Sequence, residues 1–258
     1  MPNNEEVKTK RNVSIFLLRG LVREERHWGP FKDKIASMIP NSLIETPQIP
    51  GVGSYNQMQS PTSFTDMINF MRNKIDWGKH QKNERVLIAI SLGGMIARQW
   101  TDLYENDFDK IILINTSYKG INPIYRRLQP LSILRFVKIL FTPTIKAREN
   151  AIIKLSSNNE NNRLKHIENW VEIQNDRPVS RMNFFRQITA ALKYNAPKTP
   201  PKKPIIVISS KADKLCHVKC SEQIHEIWGG KLYLHESAGH DLPIDDPDWL
   251  ISKIKENI

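Results

Sequence analysis

Two hydrophobic rhythms alternate along most of the chain. Continuous apolar runs occur at 13–18 (VSIFLL), 86–90 (VLIAI), 111–114 (IILI) and 205–208 (IIVI). Short runs rich in Ile and Val predict strands buried on both faces, as in a parallel sheet covered by helices. Residues 43–45 and 232–234 are weaker strand candidates. Between these runs, Phe64, Met67, Ile68, Met71 and Ile75 recur at helical spacing over 64–75, and 93–104 and 221–228 also read as helices. Strand alternating with helix predicts an α/β fold with a mostly parallel central sheet flanked by helices.

The alternation stops between residues 119 and 203. Only helical patterns appear there, at 128–141, 145–155, 164–174 and 181–192, closed by the linker-like APKTPPKKP at 196–204. The pattern predicts a body made of 1–118 and 204–258, carrying a helical insertion at 119–203. Seven apolar residues of the first insertion helix (Leu131, Ile133, Leu134, Phe136, Val137, Ile139 and Leu140) have two readings. They line an acyl pocket or touch a membrane, or they pack the insertion onto the body; packing is the more ordinary outcome.

Charge sharpens this division. The 258 residues hold 38 Lys and Arg against 27 Asp and Glu, a formal net charge of +11. That excess suits nucleic acid, an anionic membrane surface or an acidic protein. Residues 119–203 contain 17 basic and 5 acidic side chains, a net of +12, so the rest of the chain is near neutral at −1. Eight of the 17 are arginines, among them Arg126, Arg127, Arg135 and Arg148. The insertion carries no nucleic-acid motif, so that reading ranks low. No apolar run approaches the ~20 residues that span a bilayer, and the polar opening MPNNEEVKTKRN has no signal-peptide core. Two cysteines, Cys216 and Cys220, give no disulfide framework, which points to a reducing, cytoplasmic setting. They flank His217 without a second ligand pair, so no metal is expected.

Candidate chemistry begins at VLIAISLGGMIARQW, where Ser91 sits between a strand and a helix starting at Gly93-Gly94. A sharp strand–serine–helix turn lifts the hydroxyl clear of the sheet and aims it at a helix N-terminus, where backbone N–H groups stabilise an oxyanion. Small residues are needed two positions either side, here Ala89 and Gly93. A serine needs a base oriented by a carboxylate. His240, in the loop SAGHDLP after the last strand, is the candidate base, and Asp213, past the 205–208 strand, the candidate acid. Asp241, Asp245 and Asp246 adjoin His240 but are poorly placed to orient it from behind. His80 and His166 read as solvated, His225 as a helix residue, and His235 as a strand end.

The order Ser91, Asp213, His240, with FLLRG-L at 16–21, PQIPGVG at 47–53, AISLGG at 89–94, SSKAD at 209–213 and SAGHDLP at 237–243, resembles the α/β-hydrolase-fold serine esterases. The resemblance implies an oxyanion hole from the backbone N–H groups of Leu21 and Leu92. Arg19 stands where the pattern has histidine, and Gln48 where a turn has aspartate. It also implies that the insertion is a helical cap over the site, and that no cofactor is required. Among capped members the layout is similar to the pimeloyl-[acyl-carrier protein] methyl ester carboxylesterases of biotin synthesis. That likeness implies an acidic acyl-carrier protein docked on Arg126, Arg127, Arg135 and Arg148. The alternatives are a small-molecule carboxylesterase, lipase or thioesterase for lipid-like esters, and a non-catalytic binding protein of the same fold.

Overall fold

The computed structural model describes residues 12–258; the polar opening segment lies outside the described residues. Six strands among them, β1 (Val13–Leu18), β2 (Leu43–Glu45), β3 (Glu84–Ile90), β4 (Lys110–Ile114), β5 (Ile205–Ser210) and β6 (Lys231–His235), form one sheet in the order β2-β1-β3-β4-β5-β6. Every pairing is parallel. The unbroken apolar runs follow from burial on both faces. Phe16, Leu18, Leu87, Ala89, Ile111, Leu113, Ile205 and Val207 point to one core. Their neighbours Ile15, Leu17, Val86, Ile88, Ile112, Ile114, Ile206 and Ile208 point to the other. Period-two alternation thus splits each run between two hydrophobic layers.

Helices α1 (Pro30–Met38), α2 (Phe64–Arg72) and α3 (Leu92–Leu103) precede β4, and α9 (Lys219–Trp228), α10 (Leu242–Asp245) and α11 (Pro247–Lys255) follow β5. α2, α3 and α9 cover the first core through Phe64, Met67, Ile96, Trp100 and Ile224. α1 and α11 cover the second through Phe31, Ile35, Leu250 and Ile254. Between β4 and β5 the chain forms α4 (Ile124–Arg127), α5 (Pro130–Leu140), α6 (Ile145–Ser156), α7 (Glu160–Asp176) and α8 (Arg181–Lys193), with no strand. An isolated bridge from Lys119 to Asn195 brings the two ends of this helical stretch together. No helix among the described residues is long and apolar enough to cross a membrane.

His80 departs from expectation. It is buried, with Nδ1 2.8 Å from Ser14 Oγ and its ring against Phe16. The short helical turn Trp77–His80 brings it beside β1, where the Ser14 hydroxyl partners one ring nitrogen and Glu45 Oε1 lies 3.4 Å from the other. His166 is half-buried rather than solvated, facing Gly29, and burial lowers its pKa.

Candidate active site

β1 and β3 are neighbours, yet the chain leaves β1 toward β2 on one side and β3 toward β4 on the other. Such a reversal of strand order opens a crevice at the carboxyl ends of the two strands. Ser91 stands there, directly after β3, with φ 57° and ψ −122°. Such a backbone is strained for a non-glycine residue. The turn is held by Ser91 N–H donating to Ile114 O at 2.9 Å and by Thr116 Oγ1 donating to Ser91 O at 2.7 Å. It needs small neighbours. A Cβ on Gly93 would lie 2.6 Å from Arg19 O and 2.7 Å from Leu18 O, and one on Gly20 would lie 3.1 Å from Ser91 Cβ. Ala89 fits without strain, inside the core of the sheet.

Asp213 and His240 arrive from the turns after β5 and β6. His240 Nδ1 and Asp213 Oδ2 are 2.7 Å apart. The other carboxylate oxygen accepts the N–H groups of Leu215 and Cys216 at 2.7 and 3.1 Å, which fixes its plane. Burial acts to lower the His240 pKa; the Asp213 charge and hydrogen bond, with Asp241 behind them, outweigh it and hold the imidazole above its ordinary value. One residue that sequence reasoning missed joins these turns. Asn115, at the end of β4 with φ 45°, donates to His240 O at 2.8 Å and accepts Ser210 N–H at 2.8 Å. Its signal was an Asn at a strand end, the residue type that tolerates positive φ.

Leu92 is the first residue of α3, so its N–H has no intrahelical acceptor. The Leu21 N–H, in the loop after β1, makes no hydrogen bond among the described residues. Behind Leu21, Arg19 forms a buried two-pronged ion pair with Asp241 at 3.0 and 2.6 Å and lies over the Trp28 ring. The structure thus assigns Asp241 a partner other than the imidazole. Gln48, where the pattern has aspartate, accepts Ser54 N–H at 3.1 Å.

A family profile described as serine aminopeptidase, S33 matches residues 53–247, which include Ser91, Asp213 and His240. The chain belongs to this serine hydrolase family. Solved structures agree on the α/β-hydrolase fold. A lipase-esterase related protein from Clostridium acetobutylicum is 17% identical with TM-score 0.71, over 97% of this chain and 96% of its own. An esterase from Exiguobacterium antarcticum is 14% identical with TM-score 0.75, over 95% and 91%. The 2-hydroxy-6-oxo-6-phenylhexa-2,4-dienoate hydrolase from a Rhodococcus species is 16% identical with TM-score 0.73, over 95% and 90%. No curated protein matches the sequence.

In this serine hydrolase Ser91, His240, Leu21 and Leu92 all border one cavity of about 550 Å³. Helices α5 to α8 supply its far walls, including Phe136, Leu140, Ile152, Trp170, Phe184 and Ile188. The expectation that the apolar residues of α5 only pack the insertion onto the body is corrected. Ile133, Phe136, Val137, Ile139 and Leu140 border the cavity, while Leu131 and Leu134 are exposed. Physically, one side of α5 forms a wall of the cavity instead of packing into the cores of the sheet. The four candidate docking arginines also divide. Arg135 is exposed and Arg126 half-buried. Arg127 and Arg148 border the cavity instead of facing outward. Arg127 reaches Ala191 O, and burial lowers its pKa; Arg148 lies 3.7 Å from Glu149. Both cavity carboxylates are matched by arginine, Asp241 by Arg19 and Glu149 by Arg23 at 2.7 Å. Cys216 and Cys220 are free and buried; Cys216 borders the cavity, its thiol pKa pushed up by the Cys220 contact and by burial.

Proposed function

We propose that the protein is a serine carboxylesterase for esters with a bulky apolar acyl group, with Ser91, His240 and Asp213 as its triad and α4–α8 as a cap over the site. The carrying observation is the meeting of Ser91, an Asp213-held His240 and the Leu21 and Leu92 N–H groups at one apolar cavity. His240 Nε2 takes the Ser91 proton as Oγ attacks the ester carbonyl. The Leu21 and Leu92 N–H groups receive the oxyanion, each worth about 3 kcal/mol in the transition state. The imidazolium returns the proton to the departing alcohol, and water, activated by the same imidazole, releases the acid. Asp213 accepts the Nδ1 hydrogen bond and so directs Nε2 toward the serine.

The family's descriptive name raises peptide cleavage as a competing reading. A free amino terminus needs an unpaired carboxylate beside the site, yet Glu149 and Asp241 are both neutralised by arginine. Arg127, Arg148 and Arg181 at the cavity add further positive charge. An ester is therefore favoured over an N-terminal amide. The narrower reading, the methyl ester of pimeloyl-[acyl-carrier protein] with the carrier docked on Arg126, Arg127, Arg135 and Arg148, is supported by the +12 charge of residues 119–203. The inward position of Arg127 and Arg148 leaves it only Arg126 and Arg135 as outer contacts. The test is a panel of p-nitrophenyl esters of rising chain length, amino-acid p-nitroanilides and the carrier-linked methyl ester. Preference for medium or long acyl esters supports the proposal. Preference for the anilides overturns it, and salt-sensitive preference for the carrier ester selects the narrower reading.

A further inference from the structure

The outer surface of α4 and α5 has a composition that packing and catalysis leave unused. Of the fifteen exposed large apolar side chains among the described residues, seven lie between Ile124 and Phe141. Leu131, Leu134 and Phe141 do not border the cavity. Leu134 is 62% and Phe141 78% exposed. On the α5 helix, Leu134 and Val137 share one side, and exposed Arg135 and Lys138 flank them. From Lys119 to Arg148 the chain has seven basic residues and no acidic one.

We infer that α4, α5 and the turn ending at Phe141 form a docking surface for an anionic lipid bilayer. Apolar side chains interleaved with Lys and Arg match the two layers of such a surface, its hydrocarbon boundary and its acidic headgroups. A second copy of the chain is disfavoured as occupant, because a two-fold contact would set this all-basic stretch against itself. An acidic protein would satisfy the charges but leave Leu134 and Phe141 facing a polar partner. The placement also suits the chemistry. Ile133 and Val137 of the same helix border the cavity, so an ester leaving the bilayer meets the pocket wall directly.

The surface is testable without turnover, which separates it from the esterase reading. The wild type and Ser91→Ala are sedimented with phosphatidylcholine vesicles prepared with and without phosphatidylglycerol. Both proteins should bind only the phosphatidylglycerol vesicles, and added salt should release them. Leu134→Glu with Phe141→Glu, and separately Arg135→Glu with Lys138→Glu, should each lower the partition coefficient at least about tenfold. Unchanged turnover of a soluble p-nitrophenyl butyrate shows that these variants are folded. The inference is overturned by absence of vesicle binding, by binding that ignores these substitutions, by capture of an acidic carrier protein in place of vesicles, or by dimerisation through this face.

Discussion

The pair formed by Arg19 and Asp241 joins the loop carrying the Leu21 N–H to the loop carrying His240, residues 222 positions apart in the chain. Arg19→Ala removes every hydrogen bond to the Asp241 carboxylate, whose side chain is 6% exposed. Solvent screening is slight at that depth, so the relevant figure is that for an uncompensated buried charge, about 3–5 kcal/mol. Loss of the contact with Trp28, 4.8 Å from the guanidinium carbon to the ring centre, adds up to about 1 kcal/mol. For a chain of this size each kcal/mol moves Tm by about 2–4 °C, so Arg19→Ala should lower Tm by roughly 10 °C. The double variant Arg19→Met/Asp241→Leu removes both charges and should recover most of that loss. Its kcat should stay depressed, because the loop carrying the Leu21 N–H is no longer tied to the His240 loop. Thermal and denaturant unfolding of these variants and of the singles Arg19→Met and Asp241→Leu, with kcat and KM on one p-nitrophenyl ester, complete the double-mutant cycle. If Arg19→Ala unfolds within ~0.5 kcal/mol of wild type, or the double variant is less stable than the single, the pair does not carry this load.

Acid should silence the enzyme early. In the proposed mechanism only neutral His240 accepts the Ser91 proton, and its pKa is held above the ordinary imidazole value. The acid limb of kcat/KM should therefore lie above the usual ~6.5. Asp213→Asn removes the two largest raising influences and leaves burial opposed only by the Asp241 charge, so the limb should move to lower pH while the plateau falls about 10⁴-fold. The same linkage makes the imidazolium–Asp213 pair stabilising below the unfolded pKa, a contribution lost as pH rises through the folded one; urea midpoints across that window check the sign. Gly93→Ala would put a Cβ against the backbone oxygens of Leu18 and Arg19, and kcat should drop at least about tenfold with a shifted oxyanion loop, with KM little changed. Ile188→Trp at the cavity wall should shorten the preferred acyl chain while leaving acetate esters unaffected; an unaltered chain-length profile would place the acyl group elsewhere.

The four inner strands were legible because they are buried on both faces, while the edge strands β2 and β6 are part-exposed and gave weaker signals. A run such as IILI permits no helical stripe, and its β-branched isoleucines disfavour a turn. The proposed triad of Ser91, Asp213 and His240 could be nominated from sequence because each sits at a strand end in a distinctive local context. What the sequence hid is long-range pairing. Nothing local at Asp241 says that its carboxylate turns away from the neighbouring imidazole to a guanidinium in the first loop. Nor does Arg148 reveal that it faces a cavity carboxylate, since helical periodicity gives a face and not what that face meets. For α5, an amphipathic stripe wide enough to be a core face instead divides between a cavity wall and the outer surface. The pattern of polar and apolar residues is the same in both cases.

The central claim is that Ser91 is the nucleophile of an acyl-enzyme. Wild-type protein mixed with a p-nitrophenyl ester of a medium-chain acid and quenched at once should show, by intact mass, one added acyl group that proteolysis places on the Ser91 peptide. A burst of one p-nitrophenolate per chain should accompany it. Ser91→Ala should show neither, and His240→Ala should lose the burst with its fold intact. A burst that survives in Ser91→Ala, or an acyl group found on another residue, would contradict the account.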